Sequence, residues 1–402
     1  MKKRIFINMH YMEVGGAERA LLGLLSAIDA SCYDVDLFLN QHTGEFMSLI
    51  PDTVNLLPEV AEYTCIERPL IDVVKEGHWG VALRRLLARR RIGKYLNTLS
   101  PSELSNDISV FQYVARAVDG ALPSLERLGE YDLAISFMQP HNIVLNKVRA
   151  KRKVAWIHTD YSTVHVNRDM ELPVWNGYDN IVSISDDVTK AFLATFPSLK
   201  RKIVKIENIL SSSAVRAQAV SADVQAEMPA LADGFRLLTI GRYSYQKNYD
   251  NLPFICRRIL DNGVNVKWYI IGFGASDEYI REKIRKAGLE DNVVLLGKRA
   301  NPYPYIQACD VYVQPSRYEG KAVTVREAQI LCKPVVITDF PTANSQLVNG
   351  TDGLIVPMDN NGAGDAIAKF LSDEDMRERI VSYEREHDYG NETEVEKLYS
   401  LL

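Results

Sequence analysis

The sequence predicts an α/β protein of two domains, each a doubly wound parallel sheet, and three observations lead there. Its 402 residues exceed what one core ordinarily holds, about 250–300 residues. Short apolar runs alternate with helix-like segments along most of the chain, the pattern of strands joined by crossover helices. Between Ser211 and Gly234 that alternation lapses into Ser- and Ala-rich, partly acidic sequence, and then it resumes.

The first series opens with a strand at Arg4–Met9, passes a Gly-Gly turn into a helix over Ala17–Ile28, and returns as a strand at Val35–Leu39. The basic start resembles the head of a secretory signal. Its apolar run, however, is only Ile5-Phe6-Ile7, where a signal needs about seven to fifteen residues. Further strands are expected at Asp132–Met138, Lys153–His158, Asn180–Ser185 and Ile203–Glu207. The second series reads as Phe235–Ile240, Val266–Ile271, Asn292–Leu296, Asp310–Gln314, Pro334–Thr338 and Gly353–Val356. Residues 1–210 therefore form the first expected domain, 211–234 a linker region and 235–372 the second domain. The charged, helical tail 373–402 either caps the second domain or crosses back to the first.

Composition narrows the function classes. A chain 47% hydrophobic and 25% charged is a folded globular protein, and a formal net charge of −5 argues against a general nucleic-acid binder. The five cysteines (Cys32, Cys65, Cys256, Cys309, Cys332) are scattered with no pair at metal-ligand spacing. They read as small buried apolar residues in a reducing, cytoplasmic compartment, and no metal site is expected. No apolar run approaches the roughly eighteen residues of a membrane span.

The segment from Ser316 to Ala328 is the most informative. A strand ending at Gln314, a glycine-containing turn and a helix starting near Ala322 would aim the backbone N–H groups of Gly320, Lys321, Ala322 and Val323 at one point, an anion site. Glu319 stands just ahead of that helix and Glu327 within it. Carboxylates beside a phosphate site are repelled unless they serve sugar hydroxyls, to which they offer strong hydrogen bonds. The bland reading is two surface acids favoured by the helix dipole. Arg242 and Lys247 follow the strand Phe235–Ile240 as a basic turn, another pair with both a solvated and a phosphate-binding reading.

Glu319, Glu327, Lys333-Pro334-Val335-Val336 and the run from Asn349-Gly350 to Gly353-Leu354-Ile355-Val356-Pro357 together resemble the donor-binding signature of family-four retaining glycosyltransferases. The likeness extends upstream to Gly241-Arg242 with Lys247-Asn248, and to Gly15-Gly16-Ala17-Glu18, so it covers almost the whole chain. It implies the GT-B fold, two Rossmann-like domains facing across a cleft. A nucleotide diphosphate sugar, UDP-sugar first, would bind mainly to the second domain, and a saccharide or lipid-linked saccharide acceptor mainly to the first.

Carried residue by residue, the resemblance implies that Arg242 and Lys247 hold the diphosphate, Glu327 bonds the ribose and Glu319 faces the donor sugar. The Gly15-Gly16 loop would reach the donor's phosphates or sugar. His158, with Asp160 near it, would orient the reacting sugar or the acceptor. Two fixed cations and helix N–H groups stabilise a departing diphosphate more in the transition state than before it, so no metal or other cofactor is expected. The family also implies retained anomeric configuration and a place in cell-surface polysaccharide synthesis. Two departures stand out: Lys321-Ala322 occupy positions often held by bulkier apolar residues, and no glycine follows Asn208. A sugar-nucleotide epimerase or hydrolase, or a non-catalytic nucleotide-sugar binder, could use the same architecture.

From Lys75 to Lys94 seven Lys or Arg residues stand against one acid, Glu76, and Trp79, Leu83, Leu86 and Leu87 fall near one helical face. This reads in two ways. It is either a basic amphipathic helix for an anionic membrane surface, making the enzyme peripheral at the inner face of the membrane, or an ordinary helix whose apolar face packs on the first domain. A single aromatic there does not make a nucleic-acid platform.

Overall fold

Seven parallel strands build the first of two sheets: β1 (Lys3–Met9), β2 (Tyr33–Leu39), β3 (Asn55–Leu56), β4 (Glu130–Ser136), β5 (Arg149–Ile157), β6 (Asn180–Ser183) and β7 (Ile203–Lys205). Their order is β3-β2-β1-β4-β5-β6-β7, with Ile5 of β1 opposite both Val35 and Leu133. Ile5, Phe6 and Ile7 are all fully buried. Consecutive burial on both faces is what a parallel sheet covered by helices requires. β3 has two residues, too few to show a period in sequence. The coordinates are a computed structural model that describes residues 2–319 and 322–402.

The second sheet has six parallel strands: β8 (Phe235–Ile240), β9 (Val266–Ile271), β10 (Val293–Gly297), β11 (Val311–Gln314), β12 (Val335–Thr338) and β13 (Leu354–Val356). They run in the order β10-β9-β8-β11-β12-β13. Side chains alternate across a strand, and here the alternation divides two cores. Leu238, Tyr269, Tyr312, Val335 and Ile337 enter one. Leu237, Trp268, Val311, Val313 and Val336 enter the other. The chain thus carries two parallel α/β sheets, of seven and six strands.

The chain divides into two compact units, Met1–Ile209 with Glu392–Leu402, and Leu210–Asn391. Residues 211–234, expected as a linker, differ from that expectation. They carry the helix Ser212–Ala219, and Val215, Ala219, Val224 and Met228 are buried in the second unit's core. Only Val215 and Ala219 of these lie on that helix, one turn apart, too short a stripe to stand out among polar neighbours in sequence. The tail is split. Helix Glu374–Glu386 groups with the second unit, while residues 392–402 group with the first. There Tyr399 stacks on Tyr33 at 4.3 Å between ring centroids, and its hydroxyl accepts the Asp29 N–H at 2.9 Å. Among the described residues no helix is long and apolar enough to cross a membrane.

One buried group in the second unit sets a pH dependence. Both carboxylate oxygens of Glu384 are buried without a hydrogen-bond partner. Burial first, then the neighbouring Asp352 charge, pushes its pKa up to about 10, against the opposing pull of Lys333. A raised folded pKa means stability that is full below the unfolded pKa, about 4.5, and is lost as pH climbs toward 10. Glu384→Gln is therefore expected to raise the urea midpoint, with little gain at pH 5 and a larger one at pH 8. Parallel pH profiles for the two proteins would refute a buried proton at this position.

Candidate functional site

In the second sheet the chain winds one way from β8 to β9 and β10, and the other way from β11 to β12 and β13. At such a reversal the loops leaving the carboxyl ends of neighbouring strands part, and the crevice left there is where open α/β sheets bind ligands. The two strands at the reversal are β8 and β11. Arg242 and Lys247 lie on the loop after β8, and Glu319 lies on the loop after β11.

Lys247 and Glu319 meet. Lys247 Nζ donates to Glu319 Oε1 at 2.6 Å. The same oxygen accepts from Ser316 Oγ at 2.6 Å and from Gln314 Nε2 at 3.2 Å, while Oε2 accepts from Gln246 Nε2 at 3.2 Å. The Glu319 carbonyl accepts from Thr342 Oγ1 at 2.7 Å. A carboxylate offers about four lone-pair sites. Oε1 is crowded, whereas Oε2 retains capacity for a further donor.

Arg317 ties the two loops together. Its guanidinium forks onto Asp250 at 2.8 and 2.9 Å and donates to the Tyr245 carbonyl at 2.6 Å. It also lies 4.0 Å from the Tyr245 ring centroid, and the backbone N–H of Arg317 donates to the Gln246 carbonyl at 2.8 Å. The β8 loop can turn this tightly because Asn248 takes a left-handed conformation, φ 62°, which asparagine tolerates better than most residues. Arg242 is exposed and has no hydrogen-bonding or ionic partner among the described residues.

Glu327 sits elsewhere in the same unit, in the helix Val323–Ile330. It is only 2% exposed, and Tyr303 OH donates to its Oε1 at 2.9 Å. Ala322, the residue that caps this helix, is buried. Its N–H is already taken by Gln346 Oε1 at 2.7 Å, so it is not among the groups offered to an anion. Val323 is exposed. Gly320 and Lys321 lie outside the described residues.

Gly15, Gly16 and His158 belong to the first unit. Gly15 caps the helix Gly16–Ala27, and its carbonyl accepts the Arg19 N–H. A side chain built on Gly16 would meet nothing within 4 Å. The turn itself therefore leaves room there. His158 follows β5; its Nε2 is buried without a partner, and its ring lies 4.6 Å from that of Phe137. Burial pushes its pKa down to about 3, which favours the neutral imidazole at pH 7.

Sequence reasoning passed over Gln246, Asp250, Gln314, Ser316, Arg317, Thr342 and Tyr303. These are polar side chains without a charge pattern of their own, and only the strand order makes them neighbours. As for metals, Cys65, Glu76 and His78 in the first unit bring three ligand atoms within 4.8 Å of one another. Glu76, however, is held by the Arg68 guanidinium.

Comparison with known proteins finds relatives for the chain. The profile described as glycosyl transferases group 1 matches residues 225–387. The capsular polysaccharide biosynthesis glycosyltransferase CapM of Staphylococcus aureus is 32% identical over 152 residues, 37% of this chain and 40% of the relative. An N-acetylgalactosamine-N,N'-diacetylbacillosaminyl-diphospho-undecaprenol 4-alpha-N-acetylgalactosaminyltransferase of Campylobacter jejuni is 29% identical over 150 residues, again 37% and 40%. These matches span less than half of either relative's length. Anabaena HepE, crystallised with UDP-glucose, shares the fold over 99% of both chains, with a TM-score of 0.61 and 17% identity.

If Arg317 is the tie between the loops, Arg317→Ala should lower the unfolding free energy by roughly 1–3 kcal/mol, the range for a charge-assisted hydrogen-bonded fork. Urea denaturation measures it. A loss within error of zero would mean that the loops hold their positions without it.

Proposed function

We infer that this chain, a member of the group 1 glycosyl transferases with the GT-B fold, is a retaining hexosyltransferase. It moves a sugar from a UDP-sugar to a saccharide acceptor in cell-surface polysaccharide synthesis. The observation that carries this reading is the Lys247–Glu319 pair at the reversal of the second sheet, with Arg242, exposed and without a partner among the described residues, on the same loop. The UDP-glucose bound by HepE supports uridine as the base. The capsular relative supports the pathway class, and the diphospho-undecaprenol acceptor named for the Campylobacter relative supports a lipid-linked acceptor.

In this reading the bond from the sugar's anomeric carbon to the diphosphate breaks while the acceptor oxygen bonds to the same face of that carbon. The acceptor's proton passes to the departing phosphate oxygen. Negative charge grows on the diphosphate, and Lys247, held by Glu319, and Arg242, exposed on the same loop, stabilise it, which lowers the barrier because the interaction strengthens as the bond breaks. Lys247 carries three N–H donors. One is held by Glu319, and the other two serve phosphate oxygens. Glu319 Oε2 accepts a donor-sugar hydroxyl, while Glu327, steadied by Tyr303, accepts from the ribose. Two cations stand in place of a divalent ion, so transfer is expected to persist in EDTA.

Thermal shift against UDP, GDP, ADP and their sugars tests the donor site, because a ligand that binds the native state raises its apparent stability. UDP compounds should raise Tm, and Arg242→Ala and Glu327→Ala should abolish the shift. Lys247→Ala should cut kcat/KM by roughly a hundred- to a thousandfold, the usual effect of removing one transition-state donor. Hydrolysis that ignores every acceptor would favour a hydrolase or epimerase. No response to any nucleotide at millimolar concentration, from a protein still folded by circular dichroism, would overturn the donor assignment.

A further inference from the structure

The basic stretch of the first unit forms the helix Trp79–Leu96, and its orientation is the reverse of an ordinary packed helix. Val81, Ala88 and Ile92 are buried, with Arg85 on the same side turned inward to the carbonyls of Cys65 and Arg68. Their spacing of four, three and four residues makes that the inner face. The other apolar stripe looks outward: Trp79 is 65% exposed, Leu83 59%, Leu86 46% and Leu87 44%. The reading in which this stripe packs on the first domain is thereby corrected, because the inner face is already supplied by the smaller residues.

Charge completes the pattern. Arg90 and Lys94 continue the outward stripe toward the C-terminus, and Arg89 and Arg91 flank it on either side. All four are exposed and have no carboxylate partner among the described residues. Other surface cations are held in ion pairs, among them Arg149 with Glu130 and Lys151 with Asp132. The helix itself contains no acid, although the whole chain carries a net charge of −5. Neighbouring helices add exposed apolar side chains, Ile71 from Leu70–Lys75 and Phe111 from Ser109–Val118, and both helices pack against Trp79–Leu96.

We propose that the outward face of the Trp79–Leu96 helix binds the surface of an anionic lipid bilayer. The helix would lie in the interface plane, with Trp79 and the leucines entering the acyl boundary and the cations meeting lipid phosphates. This goes beyond sugar transfer and does not depend on it, so the two can fail separately.

The fold provides a reporter. Of the four tryptophans, Trp156, Trp175 and Trp268 are buried and Trp79 alone is exposed, so fluorescence changes on lipid binding report this helix. The full chain is mixed with vesicles of phosphatidylglycerol in phosphatidylcholine, or of phosphatidylcholine alone, and followed by emission and co-sedimentation. The expected result is a blue shift and sedimentation with anionic vesicles, weakened by salt. Arg90→Ala/Arg91→Ala/Lys94→Ala should weaken partitioning roughly a hundredfold, and Leu83→Ser/Leu87→Ser roughly tenfold or more. All five positions are exposed, so the variants are expected to fold, as circular dichroism checks. Failure to bind anionic vesicles would overturn the proposal. So would equal binding to neutral vesicles, unchanged binding by the leucine variant, or a lipid-free, concentration-dependent blue shift, which would assign the face to a second copy of this chain.

Discussion

A parallel sheet must hide both faces beneath helices, and a chain that covers both faces has to reverse its winding direction once. In the second unit that reversal falls between β8 and β11. The loops leaving these strands depart in opposite directions, and the space between them has to be closed by polar side chains rather than by a helix. Arg317, forked onto Asp250 and hydrogen-bonded to the Tyr245 carbonyl, closes it. The residues proposed to hold the donor stand on the two backbones that this contact joins, so donor-site geometry depends on an interaction that itself touches no donor.

The electrostatics of the crevice follow from that arrangement. Glu319 accepts four hydrogen bonds, one of them from Lys247. A partly buried carboxylate needs this degree of satisfaction, since an unpaired buried charge costs several kcal/mol. Ser316, Gln314 and Gln246 share the load, so the lysine is not Glu319's sole support. Arg242 has no such partner among the described residues and is exposed.

The two units use burial differently. In the second, polar groups gather where strand ends diverge, and a further acid, Glu384, on the buried side of the tail helix, has its pKa pushed up by burial. In the first, the helix Trp79–Leu96 satisfies the core with small residues and leaves large apolar and cationic side chains outside. Leaving such a face in water carries a hydrophobic cost, and soluble surfaces rarely gather one without a partner.

The sequence by itself determined the fold class, because short apolar strands buried on both faces leave a local record in runs such as Ile5-Phe6-Ile7 and Val335-Val336-Ile337. It also pointed to Lys247 and Glu319, through a spacing of charges and glycines that resembles a known family. That these two residues touch was not legible, for they are 72 positions apart and meet only because β8 and β11 are neighbours. The same holds for Arg317 with Asp250 and for Tyr303 with Glu327. Helix Ser212–Ala219 was lost among polar residues, and the outward turn of the Trp79–Leu96 helix was undecided. A helical period shows that an apolar stripe exists, but only the packing of neighbouring helices decides which stripe faces the core.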